Sequence, residues 1–299
     1  MMRGVKQAPI IYHRGSFLPY ADAGFEIQDR GVLFADGVYE VVRYDRGRAF
    51  GMRAHLDRLT RSLEGIQLTG VDVSAIAEAS DQLMQRNQLQ DAKVYWQVTR
   101  GPAARDFVCP DPPDPSVTLI AFPMPPLSPD PPLDAGSAIL VDDCRWTRCW
   151  IKSLMLLPAS LAKTQAQQQN AIEAIFSRAK PGHDQPHVTE GASTNVFIVR
   201  DGQLLTHPDD GWILGGITRQ TLLRLAHDSG LPCRDDQPFT PDTLRQADEV
   251  FVCSTTQFTA ITAVDRQPIA DGRPGPVTAQ LHAAYHHAIL HPASDPPGE

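Results

Sequence analysis

The chain has 299 residues, 42% hydrophobic and 21% charged, which fits a soluble protein of two domains or one large α/β unit and is too apolar for a disordered chain. Its 27 basic against 35 acidic side chains give a formal net charge of −8, which argues against a nucleic-acid-binding surface. No apolar run reaches the ~18 residues of a membrane span, and Met1-Met2-Arg3-Gly4-Val5-Lys6 lacks the apolar core of an export signal.

Leu56, Leu59 and Leu63 at helical spacing predict a helix over 54–65 that stops at Gly65, and a second helix follows over 73–87. The β-branched and aromatic run KVYWQVTR predicts a strand over 93–100, with another over 117–122. The proline cluster Cys109-Pro110-Asp111-Pro112-Pro113-Asp114-Pro115 between them reads as a loop. Six prolines between 123 and 132 exclude a helix or central strand and read as a stiff linker joining a domain over 1–122 to one over 133–299. Beyond it the pattern predicts a strand over 138–141 and a largely helical 154–179, with Pro181-Gly182 past its end. Asp201-Gly202 between 196–199 and 203–206 is a two-residue hairpin signal. Thr218, as N-cap, opens a helix that runs to 229 and stops at Gly230; a strand follows over 249–253. The proline-rich tail 292–299 reads as frayed. Strands and helices mix without strict βαβ alternation, so the fold class is α+β.

Cys109, Cys144, Cys149, Cys233 and Cys253 form no C-x-x-C pair, which disfavours a disulfide framework or structural zinc and makes reducing cytoplasm the expected compartment. Lysine is scarce: Lys6, Lys93, Lys152, Lys163 and Lys180 stand against 22 arginines, so chemistry that needs a primary amine has few candidates. Lys152 lies in the apolar run Trp150-Ile151-Lys152-Ser153-Leu154-Met155. Buried there it would be a neutral amine suited to attack a carbonyl; at a strand edge it would keep its head in water. Glu190 precedes a small hydroxyl-rich turn, Gly191-Ala192-Ser193-Thr194, and could face a pyridine nitrogen or belong to an ordinary polar turn. Leu214-Gly215-Gly216-Ile217-Thr218 places glycines at a helix start, a setting for a phosphate or for a plain strand-to-helix turn. Ser254-Thr255-Thr256 offers further hydroxyl donors. His282, His286, His287 and His291 read as a solvated amphipathic helix rather than a metal site, and Asp142-Asp143 as a turn.

Together the segments Phe34-Ala35-Asp36-Gly37-Val38-Tyr39-Glu40, His55-Leu56-Asp57-Arg58-Leu59, Gln97-Val98-Thr99-Arg100-Gly101, Ile151-Lys152-Ser153-Leu154, Thr189-Glu190-Gly191, Gly216-Ile217-Thr218-Arg219 and Ser254-Thr255-Thr256 keep the order and spacing of a known family. In them the chain resembles the class IV aminotransferases, fold-type IV enzymes that use pyridoxal 5′-phosphate, and among these the D-amino-acid transaminases. The resemblance implies a two-domain α+β enzyme, homodimeric, with the cofactor between the domains. It moves an amino group between a D-amino acid of the D-alanine or D-glutamate type and a 2-oxo acid. Lys152 matches the lysine that holds the cofactor covalently and moves the proton at the substrate Cα. Glu190 matches the carboxylate on the pyridine nitrogen, and Leu214 the residue against one ring face. Arg58, Ile217, Thr218 and Thr255 match the phosphate cradle. Tyr39 and Arg105 match the trap for the substrate carboxylate, with Phe107 and Thr256 beside it.

Three positions depart from the pattern. Phe107 stands where the D-specific enzymes carry a histidine, a loss of one donor worth ~0.5–3 kcal/mol. Met155 replaces a common asparagine and Trp150 a common acidic residue. Because Phe107 alters the trap, branched-chain L-amino-acid or (R)-amine transfer stays open, as does pyruvate elimination of the aminodeoxychorismate lyase kind.

Overall fold

The computed structural model describes residues 8–179, 182 and 184–291; the tail 292–299 and Pro181 of the expected helix stop lie outside the described residues. The chain divides into two compact units. The first runs to Leu127 and takes in Ile151–Met155; the second holds Ser128–Trp150 and the chain from Leu156 onward.

The first unit contains β1 (Ile10–His13), β2 (Ser16–Pro19), α1 (Arg30–Phe34), β3 (Gly37–Asp45), β4 (Arg48–Ala49), α2 (Met52–Gly65), α3 (Val73–Arg86), β5 (Ala92–Thr99) and β6 (Ser116–Pro123). The strands form one antiparallel sheet in the order β2-β1-β6-β5-β3-β4. Alternation along β5 sets its two faces: Ala92, Val94, Trp96 and Val98 are fully buried, while Lys93, Tyr95 and Gln97 are half-buried. Leu59 and Leu63 of α2 and Ile76 and Leu83 of α3 are buried with the first set, the period-3.6 stripe that marks both helices in the sequence. The Asp72 side chain caps α3 by accepting from the Ser74 and Ala75 amides.

Ile151–Met155 takes the stretch of β3 edge around Gly37–Tyr39 that β4, paired only at Tyr44 and Asp45, leaves uncovered. Tyr39 N–H donates to Lys152 O at 2.9 Å and Leu154 N–H to Gly37 O at 3.0 Å, with Val38 and Ser153 paired antiparallel. Lys152 therefore lies at a strand edge, beside Tyr39.

The second unit contains β7 (Asp134–Asp142), α4 (Leu157–Gln168), β8 (Glu173–Ala179), β9 (Pro186–Gly191), β10 (Asn195–Arg200), β11 (Gln203–Thr206), α5 (Ile217–Asp228), β12 (Cys233–Arg234), α6 (Pro241–Arg245), β13 (Glu249–Ser254), β14 (Gln257–Val264), β15 (Gln267–Pro268) and α7 (Pro276–Leu290). Its nine-stranded sheet runs β12-β11-β10-β13-β14-β7-β8-β9, with β15 on β14. The pairs β14–β7, β7–β8 and β11–β12 are parallel and the others antiparallel. Asp201 and Gly202 both take positive φ, 51° and 72°, as a primed hairpin turn requires. The rings of Phe197, Phe251 and Phe258 stack in sequence at 5.0 and 4.9 Å within the core.

Four expectations are corrected. The segment 154–179 is not one helix: α4 ends at Gln168, Asn170 turns at φ 60°, and 173–179 is the strand β8. Glu173, Ala174, Ile175 and Phe176 are all buried, and a strand covered on both faces loses the alternation that would reveal it. Thr218 is not an N-cap; Gly216 holds that place, and the Thr218 hydroxyl meets Tyr285 Oη at 3.0 Å inside the unit. The histidine helix α7 is not solvated all along: His282 is 6% exposed and packs edge-on against Phe258 at 5.1 Å. Asp143 is not a plain turn residue but a buried ionic partner, described below. Among the described residues no helix is long and apolar enough to cross a membrane, and no group of three or more His, Cys, Asp or Glu is placed to hold a metal ion.

Candidate active site

In the first unit the half-buried Lys152 points its ammonium at the Tyr39 ring, 4.3 Å from the centroid. Its backbone amide donates to Ser62 Oγ of α2 at 3.2 Å, which fixes the lysine's main chain from the helix as well as from β3. Tyr95 stands beside Tyr39, with centroids 5.7 Å apart, and donates from its hydroxyl to Gln97 Oε1 at 2.9 Å.

Below Tyr39, on the opposite face of β3, Glu40 is fully buried and receives two bonds from Arg58, Nε to Oε1 at 2.7 Å and Nη2 to Oε2 at 2.8 Å. His55 adds Nδ1 to Oε2 at 2.8 Å. Burial opposes the Glu40 charge, yet the Arg58 guanidinium holds its carboxyl well below the usual carboxylate range. Burial also pushes His55 below its ordinary value, although Glu40 pulls the other way. An ionised Glu40 only accepts, so the neutral imidazole carries its hydrogen on Nδ1. Arg58 is thus locked in place by a partner on β3.

In the second unit Glu190 lies inside β9 rather than in the turn after it, and is 5% exposed. Arg145 Nη1 donates to Oε1 at 2.6 Å, while Asn195 Nδ2 and the Leu214 amide donate to Oε2 at 3.2 and 3.1 Å. Burial pushes the Glu190 carboxyl upward and Arg145 offsets this; all of these neighbours are donors, a setting that accepts the ionised form. A carboxylate offers about four acceptor positions, so one on Oε1 is left for a further donor. Arg145 is itself anchored on Asp143, at 2.9 Å, and Asp143 takes Arg178 at 2.8 Å and the Thr189 hydroxyl at 3.0 Å. Burial opposes the Asp143 charge, but Arg145 and Arg178 hold its carboxyl below the usual range.

The same unit offers an anion site. α5 begins at Ile217 with the backbone-only cap Gly216 and no side-chain cap, so the first amides, Thr218's included, meet no capping oxygen from that residue. A Cβ at Gly216 would collide with Asn195 Oδ1, whose amide holds both Glu190 and the Leu214 carbonyl. Thr255 and the exposed Thr256 form the two-residue turn between β13 and β14, where Ser254 pairs with Gln257. In the second unit a buried carboxylate with one acceptor position left and an open helix start suit a protonated pyridine nitrogen and a phosphate; in the first, a half-buried amine suits a carbonyl.

Of the sequence-predicted residues, the structure brings Tyr39 to Lys152 and Leu214 to Glu190. Arg105 is exposed on the loop between β5 and β6, its guanidinium 5.5 Å from the Phe34 ring, and Phe107 is 84% exposed with its ring 5.7 Å from the same Phe34. Met155 is 39% exposed, and Trp150 receives the Arg148 guanidinium at 5.5 Å. Sequence reasoning missed Arg145, Asp143, Asn195, Glu40 and His55. The only signal for the first pair is an arginine two residues after two carboxylates at a strand end; Glu40 and His55 sit inside matched motifs without an assigned role.

Residues 37–264 match the family model described as amino-transferase class IV. The chain is 43% identical over 273 residues to a D-alanine aminotransferase of Listeria innocua, covering 90% of this chain and 92% of that one. It is 37% identical over 282 residues to a D-alanine aminotransferase of Staphylococcus aureus, 93% and 97% of the two chains. Among solved structures it resembles the branched-chain amino acid aminotransferase of Escherichia coli, with a TM-score of 0.85 at 24% identity over 96% and 97% of the chains, a likeness of fold.

Proposed function

The chain belongs to the class IV aminotransferases, and on that premise we propose that it moves an amino group between a D-amino acid of the D-alanine or D-glutamate type and a 2-oxo acid. The observation that carries this reading is the 43% identity, over 90% of the chain, to a D-alanine aminotransferase of Listeria innocua. The cofactor of the family is pyridoxal 5′-phosphate, which when bound supplies an electron sink for the pair left when the substrate Cα loses its proton.

The chain's own residues divide the work. Lys152 Nζ would be the covalent anchor of the cofactor, and its amine would take the proton from the substrate Cα. Tyr39, 4.3 Å away, confines that amine. Glu190 Oε1 would offer its acceptor position to the pyridine N–H, with Arg145 opposing the upward push of burial on the carboxyl. By the family's pattern, the amides of Ile217 and Thr218, the Thr255 turn and the guanidinium of Arg58 would hold the phosphate, and Leu214 would face the ring. By the same pattern Arg105 would grip the substrate carboxylate with help from the Tyr39 hydroxyl, with Phe107 beside it on the loop.

We further propose a cytoplasmic homodimer: Ile27 and Phe107, 85% and 84% exposed on the single chain, are large apolar side chains that a second copy would cover. The activity is tested by supplying D-alanine and 2-oxoglutarate and following both products. Pyruvate formed with D-glutamate in equal amount supports the reading. Pyruvate that stops at one equivalent per enzyme, with no D-glutamate, contradicts transfer to 2-oxoglutarate, and no product with D-alanine refutes the substrate assignment.

A further inference from the structure

Arg105 sits on an exposed loop, and a guanidinium that must meet a substrate carboxylate needs its main chain held. The structure shows what holds it. Arg30, at the start of α1 and only 4% exposed, sends Nη1 to the carbonyl oxygen of Asp106, the residue between Arg105 and Phe107, at 2.6 Å. The same nitrogen reaches Val108 O at 3.5 Å and Nη2 lies 3.9 Å from Cys109 Sγ. The guanidinium also covers the Phe34 ring at 4.6 Å, the ring that Arg105 and Phe107 share. At the loop's base, Arg30 N–H donates to Gly101 O at 3.0 Å and Ala103 N–H to Gln28 O at 3.2 Å.

Arg30 is itself aimed by Asp36, whose Oδ2 accepts Arg30 Nε and Arg100 Nε, both at 2.8 Å. Arg100 also donates from Nη2 and Nη1 to the carbonyls of Ile66 and Gln67 beyond the end of α2, at 2.6 and 3.1 Å. One carboxylate oxygen thus ties two guanidinium groups, one clasping the Arg105 loop and the other the end of the helix that carries Arg58. A solvated loop would need no buried arginine on its main-chain carbonyls; a loop that must present one guanidinium at a fixed place does.

We propose that Arg30, aimed by Asp36, is a positioning residue that sets Arg105 for the substrate carboxylate. The proposal rests on the reading of Arg105 given above. It makes KM for the amino acid, and not the chemical step, the quantity that Arg30 controls.

The test compares Arg30→Met, Arg30→Lys, Asp36→Asn and Arg105→Ala in the full-length holoenzyme, with D-alanine as donor. Each variant is checked first for the visible band of the lysine-bound cofactor and for its melting temperature. Arg30→Met is expected to raise KM about tenfold with kcat within about twofold and the visible band unchanged, since a misplacement near 1 Å suffices for such a loss. Arg30→Lys, which keeps the charge and loses the fork, falls between. In the Arg30→Met, Arg105→Ala double variant KM is no worse than in Arg105→Ala alone, an absence of additivity that a general loss of stability would not produce.

If Arg105→Ala raises KM while the Arg30 and Asp36 variants leave it unchanged, the inference is overturned and the function stands. Fully additive effects overturn it as well. If Arg105→Ala itself leaves KM unchanged, the reading of Arg105 fails and takes this one with it. Should Arg30→Met not fold, Arg30→Lys and Asp36→Asn decide by the same measure.

Discussion

Replacing Arg145 by Met should damage the second unit in a manner that depends on pH. Arg145 is the cation 2.6 Å from the buried Glu190 carboxylate and one of two arginines on Asp143. Methionine fills much of the same volume but leaves Glu190 with only the Asn195 and Leu214 donors, while Asp143 keeps Arg178. Stranding a buried charge in this way costs about 3–5 kcal/mol, and the Asp143 side of the loss is softened by its second partner. Glu190 already has its carboxyl pushed upward by burial, and without Arg145 it moves further in that direction. A carboxyl raised in the folded state favours folding at low pH, and that advantage is lost as pH rises through the folded value. The destabilisation should therefore be larger at pH 8 than at pH 5, because acid protonates more of the variant's Glu190 and leaves less charge stranded. Urea unfolding of variant and parent at both pH values measures it. Equal losses at both, or a loss below ~1 kcal/mol at pH 8, would refute the ionic account of Glu190.

Other outcomes follow from the same geometry. Lys152→Ala abolishes transamination and the visible band of the lysine-bound cofactor, while far-UV circular dichroism stays as in the parent; a retained band would remove Lys152 from its role. Glu40→Gln leaves Arg58, 4% exposed, without its bidentate partner and should cost about 3–5 kcal/mol in urea unfolding. Because Glu40 titrates well below the usual carboxylate range, the parent keeps this contribution at neutral pH and loses it only in strong acid, so the gap between the two proteins narrows on acidification. Gly101 sits at φ 83° with a Cβ position that collides with Asp114 O, so Gly101→Ala must shift the base of the Arg105 loop. It should raise KM for D-alanine several-fold and leave the cofactor band in place, measured by steady-state kinetics and absorbance.

Much of this was legible before the structure. The stripes that mark α2 and α3, the strand β5 and the Asp201-Gly202 turn follow rules of local spacing, and the structure reproduces them within one or two residues. Lys152 and Glu190 stood out because few side chains suit the roles proposed for them. What failed to show was long-range. β8 lies buried on both faces, and its apolar run carries no period to separate it from a helix. The return of Ile151–Met155 to the first unit depends on main-chain bonds to Gly37 and Tyr39, which leave no mark in composition. Arg145 and Glu190 are 45 residues apart, and only the fold of β7 against β8 and β9 makes them partners. Asp143 looked like a turn because a carboxylate after a strand usually is one; two arginines make it a structural anion.

The central claim is tested most directly by titrating the purified holoenzyme with D-alanine, L-leucine and (R)-1-phenylethylamine in parallel while following the visible band of the lysine-bound cofactor. Loss of that band with D-alanine, at concentrations where the other two leave it unchanged, is the predicted result. A band that yields to L-leucine or to the amine and resists D-alanine would contradict the D-amino-acid assignment.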